Sequence, residues 1–463
     1  MPSSRLRMSA LYAALALLGV GCSEPTNAPL QIPSTAQLAR SVAGLAVKTA
    51  SPAQAPLDTT LDVQISGTGF EAGSRADWLR GGVTDSRVRT NSTRFVSSSA
   101  LVANITISSD AVASSYDIAV TTTSGKKGIG TELFTVLAVE LLSGPPGASA
   151  ANDVTGAGVV AGGRAGGCDA GRVPAFWRNG GEPIDLPLLA PWCNGTALYI
   201  NESGVMIGRL DPGGAGVAVR WVPNATGGYN VSAMDPPSDG TSAAFFLDGL
   251  NENGVAIGNR WHGANTRPYS WSETGGWVAM PFAAESGTTG CYVEALNDVG
   301  AATGECWGSS GVGAVAFWSS LSLPPVLLPV YPGYTSGGAG KAVNNLGVVV
   351  GYVMKRTNSG SVDLGVRWTR RTDGTWTTPE VLPDLGGVTH PQDINDDGVV
   401  VGAADVSRKN HAFMLIPGQP MKDLGSVGGE SVAFSVTPAR AFPILITGIT
   451  AISNYNRGTL WRP

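Results

Sequence analysis

Charge is scarce in this chain of 463 residues: Asp, Glu, Lys and Arg together make up 14%, against roughly a quarter in an average soluble protein. With 30 basic residues against 35 acidic ones and no basic cluster, there is no electrostatic footprint for a nucleic-acid backbone, and no nucleic-acid partner is expected. Histidine is rarer still, at three residues (His262, His390, His411), and the five cysteines form no C-x-x-C pair. That leaves neither a zinc motif nor a dithiol redox motif, so no metal and no cofactor are expected. No G-x-S-x-G occurs, and a Ser/His nucleophilic site has no support. No apolar run reaches the ~20 residues of a membrane-spanning helix. What the chain does have is 63 Gly, 30 Pro, 12 Trp and 43% hydrophobic residues. The apolar content argues against disorder, and Gly-rich composition with little charge favours short strands joined by tight turns.

The N-terminus reads as an address. Arg5 and Arg7 precede an apolar run from Met8 to Val20, the length of a signal h-region. The run ends in Leu18-Gly19-Val20-Gly21-Cys22, which resembles the lipobox of bacterial lipoproteins, although Gly19 stands where that family usually has an aliphatic residue. The resemblance implies that residues 1–22 direct export and that Cys22 carries a lipid, a membrane anchor. Ser23 in place of Asp implies the outer membrane or cell surface. Ordinary cleavage with a free Cys22 is the alternative. Residues 23–44 read as a flexible linker rich in Ala, Pro, Ser and Thr. The other four cysteines, Cys168, Cys193, Cys291 and Cys306, are an even number in an oxidising compartment.

From Leu61 the pattern alternates. Leu61, Val63 and Ile65 share a strand face, and Ser66-Gly67-Thr68-Gly69 turns the chain before Phe70. Strands are expected at Leu101 to Ile107, Tyr116 to Thr122 and Glu132 to Val136, as in a β-sandwich. The segments Leu61 to Phe70, Tyr116 to Val120 and Phe134 to Val136 resemble an IPT/TIG domain, an immunoglobulin-like fold, over residues 45–137. In bacterial surface proteins that resemblance implies a spacer more than a reader.

The remaining chain is periodic. Ile200-Asn201-Glu202-Ser203-Gly204 returns at Leu250 to Gly254, Leu296 to Gly300, Val343 to Gly347 and Ile394 to Gly398, with Val154-Thr155-Gly156-Ala157-Gly158 as an earlier copy. Asn opening a turn and Gly in the left-handed conformation predict a β-hairpin. A second signature ends at Trp177, Trp221, Trp271, Trp318, Trp368, Met414 and Trp461, seven markers about 44 to 50 residues apart. Each unit offers four strands, one propeller blade. Val139-Glu140-Leu141-Leu142 has the pattern of a fourth strand, and the last unit stops at its third, so the N-terminal strand is expected to close the last blade. The fold class is therefore all-β: an immunoglobulin-like sandwich, then a β-propeller of about seven blades, six being the alternative. His411-Ala412-Phe413 with Lys422 to Gly429 resembles the HAF-repeat family of extracellular bacterial proteins over residues 138–463. This implies location and repeat architecture, and brings no catalytic residue.

Cys291 and Cys306 each lie six residues outside the Asn297 to Gly300 turn, so a regular hairpin sets them opposite each other. Cys168 and Cys193 then pair by elimination. Asp393-Ile394-Asn395-Asp396-Asp397-Gly398 opens like a calcium loop, but Ala404 stands where the closing Glu belongs. Arg371 to Trp376 is slightly like the Asp-box of sialidase-type propellers, and Asp373-Gly374 is equally a plain turn. The recurring aromatics are expected in the core before a sugar-binding surface. The function expected is a non-catalytic surface lipoprotein that binds an extracellular glycan or protein. A glycan-acting propeller enzyme and a structural envelope protein are the alternatives.

Overall fold

The computed structural model describes residues 44–463, except 58, 109–110, 138, 146, 212–215, 238–244, 262–264, 283–286, 359, 428, 440, 442 and 453–454. The leader, Cys22, nearly all of the linker expected at 23–44, and His262 lie outside the described residues. The regular structure of the described chain is almost wholly strand. Among its residues no helix is long and apolar enough to cross a membrane, and the helical piece at Cys168–Ala170 is one 3-10 turn.

Residues 46–137 form two sheets. One orders Ala46–Ser51, Thr59–Thr68, Ala100–Ile107 and Val88–Ser97; the other orders Gln54–Pro56, Lys127–Leu137, Ser115–Thr121, Arg75–Arg80 and Val83–Thr84. Period-two alternation buries one face of each. Val63, Ile65, Leu101, Ile105, Ile118 and Val120 close over Trp78, which meets Phe134 edge-on at 5.9 Å. Among the described residues one charge enters this core. Asp85 accepts from Arg87 Nε and Nη2, both at 2.9 Å, and from Tyr116 Oη at 3.2 Å. The hydrogen bonds from Arg87 hold its carboxyl well below the usual range.

Seven four-stranded sheets follow among the described residues: sheet 1 (150–185), sheet 2 (195–233), sheet 3 (245–279), sheet 4 (288–327), sheet 5 (338–381), sheet 6 (389–425) and sheet 7 (431–461). The first strand of each sheet packs on the first strand of the next, and that of sheet 7 returns to that of sheet 1. The arrangement is propeller-like, with the first strands around a common axis. Sheet 7 takes its fourth strand from Val139–Leu141, paired Val139↔Trp461 and Leu141↔Thr459, so the expected closure by the N-terminal strand is present. Leu57 N also donates to Val139 O at 3.0 Å, tying the preceding sheets to this strand.

Five of the six recurring tryptophans are core, and Trp271 is half-buried. Trp177, Trp221, Trp318, Trp368 and Trp461 are fully buried near the ends of third strands. The indole N–H groups of Trp177, Trp221, Trp318 and Trp368 donate to the carbonyls of Ser143, Pro187, Pro281 and Pro329, 34 to 39 residues earlier. Each such indole therefore locks a third strand to the loop leading into its own sheet while filling the space between sheets.

Both disulfides form as paired above. Cys168 and Cys193 have Cα atoms 5.9 Å apart, and Cys291 and Cys306 are direct cross-strand partners with Cα atoms 4.0 Å apart. The second pairing holds for a reason beyond symmetry. The turn closes with Asn297 N donating to Ala301 O, which by itself sets the register one residue off. An extra residue at Glu294 shifts it back, so that Val293 faces Gly304 and Cys291 faces Cys306.

Candidate site at the propeller axis

That extra residue is not peculiar to sheet 4. Every first strand carries a bulge at the equivalent place, opposite a glycine of the second strand. The glycines are Gly162, Gly208, Gly258, Gly304, Gly351, Gly402 and Gly448. A Cβ on any of them would stand 2.0–2.4 Å from a backbone carbonyl of the first strand, closer than atoms can approach. Glycine at that position admits the carbonyl, the strand kinks, and one residue is turned out of the ladder. In chain order the turned-out residues are Asn152, Leu198, Asp248, Glu294, Lys341, Gln392 and Phe434. All but Asn152 are half-buried, while the residue just before each is buried. Six of the seven in this ring are thus partly accessible, on first strands that also carry other half-buried positions such as Tyr199, Leu250 and Ala295.

The ring is chemically uneven. Sheets 3 to 6 contribute Asp248, Glu294, Lys341 and Gln392; sheets 7 and 2 contribute Phe434 and Leu198 on either side of Asn152. Lys341 Nζ donates to Glu294 Oε2 at 2.7 Å. Asp248 accepts from Tyr292 Oη at 2.9 Å and from Asn259 Nδ2 at 2.8 Å. Burial, reinforced by the charge of Glu294, pushes the Asp248 carboxyl up to about 7 against the pull of those hydrogen bonds. Burial and the neighbouring carboxylates also raise the Tyr292 phenol well above its ordinary value. His390 stands on the first strand of sheet 6, its ring pressed down in pKa by burial and its Nε2 3.9 Å from Asp363 Oδ2. Asn152 gives its Nδ2 to Thr196 Oγ1 and Ala197 O, while its own buried Oδ1 meets no protein donor among the described residues.

Next to the ring, two half-buried carboxyls brace the sheets. Asp153 accepts from Ile200 N of sheet 2 and, at 2.6 Å, from Ser435 Oγ of sheet 7. Asp393 accepts from Val436 N at 2.9 Å. Burial raises both, Asp153 to about 6.

The hairpin asparagines do more than open turns. Oδ1 of Asn201, Asn251, Asn297, Asn344 and Asn395 accepts the N–H four residues on, and Nδ2 donates to a carbonyl of the next sheet's turn at 2.8–3.3 Å. The residue after each Asn, from Glu202 through Asp396, accepts a backbone N–H from the preceding sheet's turn. Thr155 keeps the intra-turn bond, through Oγ1.

The motifs weighed in the sequence fall elsewhere. Asp393 and Asp396 of the calcium-like loop are taken up by the inter-sheet bonds just described, and Asp397 is exposed. Asp373 lies in an exposed turn after the third strand of sheet 5, where it accepts from Thr375 N and Oγ1 and is held below its usual range. His411 pairs with Asp423 at 2.9 Å on outer strands of sheet 6.

No family model and no curated protein sequence matches the chain. Solved propeller structures do. One is a streptogramin B lyase at 12% identity and TM-score 0.44, covering 70% of this chain and 96% of that one. Another is the virginiamycin B lyase from Staphylococcus aureus, at 12% identity and TM-score 0.42, covering 70% and 98%. A third is TolB from Acinetobacter baumannii, at 13% identity and TM-score 0.36, covering 69% and 79%. The expectation that the chain is not an enzyme is corrected here, because these propeller structures include lyases, which are enzymes. At such low identity they transfer no chemistry to this chain.

Proposed function

We propose that this chain is an exported protein, held to the cell envelope by a lipid on Cys22, in which an IPT/TIG-like immunoglobulin-like module carries a seven-bladed HAF-repeat propeller. The propeller binds an extracellular glycan or protein at its axial ring. The observation that carries the binding reading is the ring itself: equivalent positions made accessible in sheet after sheet, yet filled with Asp, Glu, Lys, Gln, Leu and Phe instead of one repeated residue. A purely architectural position would repeat its residue, as the glycines and asparagines do. Two disulfides support an oxidising compartment.

The test is an array of glycans and envelope proteins probed with the full chain in detergent, scored for retention and for turnover. Binding that weakens at least tenfold in Lys341→Met supports the reading, and turnover lost in Asp248→Asn would add catalysis to it. Binding indifferent to both substitutions would place the ligand elsewhere.

A further inference from the structure

The ring also carries information about ligand charge. Resting on the axial binding reading, we propose that it takes an uncharged, hydroxyl-rich ligand, the end of a neutral oligosaccharide, and discriminates against its anionic counterparts.

The argument is one of inventory. Asp248 and Glu294 are two carboxyls facing one ammonium, and Lys341 is already bound to Glu294 at 2.7 Å. Asp153 and Asp393 stand close behind with their carboxyls engaged by neighbouring sheets. Among the described ring residues Lys341 is the one cation, and a uronate or a phosphate could reach it only by competing with the Glu294 carboxylate. Hydroxyl groups suit what remains. Lys341 and Gln392 offer N–H donors, Glu294 and Gln392 offer acceptors, and Asn152 holds a buried amide oxygen without a donor. Across the ring, Phe434 and Leu198 supply apolar surface. A sugar ring has this same division, hydroxyl groups around its edge and a C–H face that packs on aromatic or aliphatic carbon. A bare metal cation has no use for the apolar arc and meets the ammonium.

The experiment titrates the full chain in detergent with neutral oligosaccharides and with uronates of matched linkage and length. Wild type, Phe434→Ala, Glu294→Gln and the outer-turn control Asp373→Asn are compared, with thermal midpoints recorded for each. The expected result is retention of a neutral oligosaccharide with the matched uronate at least tenfold weaker. Phe434→Ala should weaken the neutral ligand about tenfold, and Glu294→Gln should narrow the neutral-to-uronate ratio while Asp373→Asn leaves it unchanged. Uronates binding as tightly as neutral sugars would overturn the charge argument and leave axial binding standing. So would capture of an envelope protein, but no saccharide, that is lost in Phe434→Ala. Retention of nothing from either class would overturn both readings.

Discussion

Asn297→Ala is the most informative single change to the scaffold. Asn297 is buried, its Oδ1 accepting from Ala301 N at 2.8 Å and its Nδ2 donating to Asn344 O at 2.8 Å. Alanine removes both bonds: it strands the buried N–H of Ala301, at about 1–3 kcal/mol, and leaves the Asn344 carbonyl with only the N–H of Gly347 among the described residues. The expected loss is about 3 kcal/mol, at the high end for a single substitution without a large cavity. Asn297→Thr separates the two roles. Thr155 shows that a hydroxyl can take the turn N–H, since its Oγ1 accepts from Val159 N at 3.1 Å. Threonine at 297 should therefore recover roughly half of the loss, the remainder being the inter-sheet bond. The assay is urea unfolding under oxidising conditions, followed by tryptophan fluorescence, because the buried indoles report the propeller sheets. If threonine is as stable as wild type, the bond between turns contributes nothing. If alanine costs under ~0.5 kcal/mol, neither bond does, and the clasp reasoning fails.

Four further outcomes follow from the same structure. Gly304→Ala should destabilise by at least ~2 kcal/mol, because its Cβ would meet Tyr292 O at 2.0 Å; a thermal midpoint unchanged from wild type would show that the bulge does not need glycine. Asp248 has a folded pKa of about 7, above its ordinary 3.8, so its stabilising share is complete below about pH 4 and is lost as pH rises through 7. Asp248→Asn keeps a donor and an acceptor for Tyr292 and Asn259 and should gain about 2 kcal/mol on wild type between pH 5 and pH 8, allowing for partial exposure; a gap in urea midpoints that does not widen with pH would refute this. Asp85 runs the other way, its carboxyl lowered by Arg87, so its contribution is present above about pH 4 and lost as pH falls through the folded value. Asp85→Asn should cost about 2 kcal/mol at pH 7, and the difference from wild type should shrink in acid. Cys22→Ala should abolish labelling by radioactive palmitate and release the protein from the membrane fraction, whereas retained label would place the lipid elsewhere.

Much of the architecture was legible because it repeats. The Asn–Gly turns set the first hairpin of most sheets, the Trp markers ended third strands, and Val139–Leu141 read as the missing strand of the last sheet. The axial site was not legible, and the reason is physical. A bulged residue has no type of its own, and Asp248, Glu294 and Lys341 look like ordinary strand residues until their register is known. The signal lay one strand away, in the glycine that follows an apolar or Thr residue in every second strand, at Gly208 and Gly258 for example. That glycine reads as a loose strand position until the carbonyl it accommodates is seen. The amide nitrogens of Asn297 and its sisters were hidden for a related reason: a turn motif explains the Oδ1 bond, and the Nδ2 bond exists only once sheets are stacked. Asp393 and Asp373 drew attention through local motifs, yet one braces sheet 7 and the other caps an exposed turn.

The most direct test of the central claim compares binding by wild type, the ring variant Lys341→Met and the outer-turn variant Asp373→Asn against whichever array ligand the full chain retains. An axial site predicts affinity lost at least tenfold in Lys341→Met and unchanged in Asp373→Asn, with equal thermal midpoints for the latter and wild type. Affinity unchanged in Lys341→Met but lost in Asp373→Asn would contradict it and move the site to the outer turns.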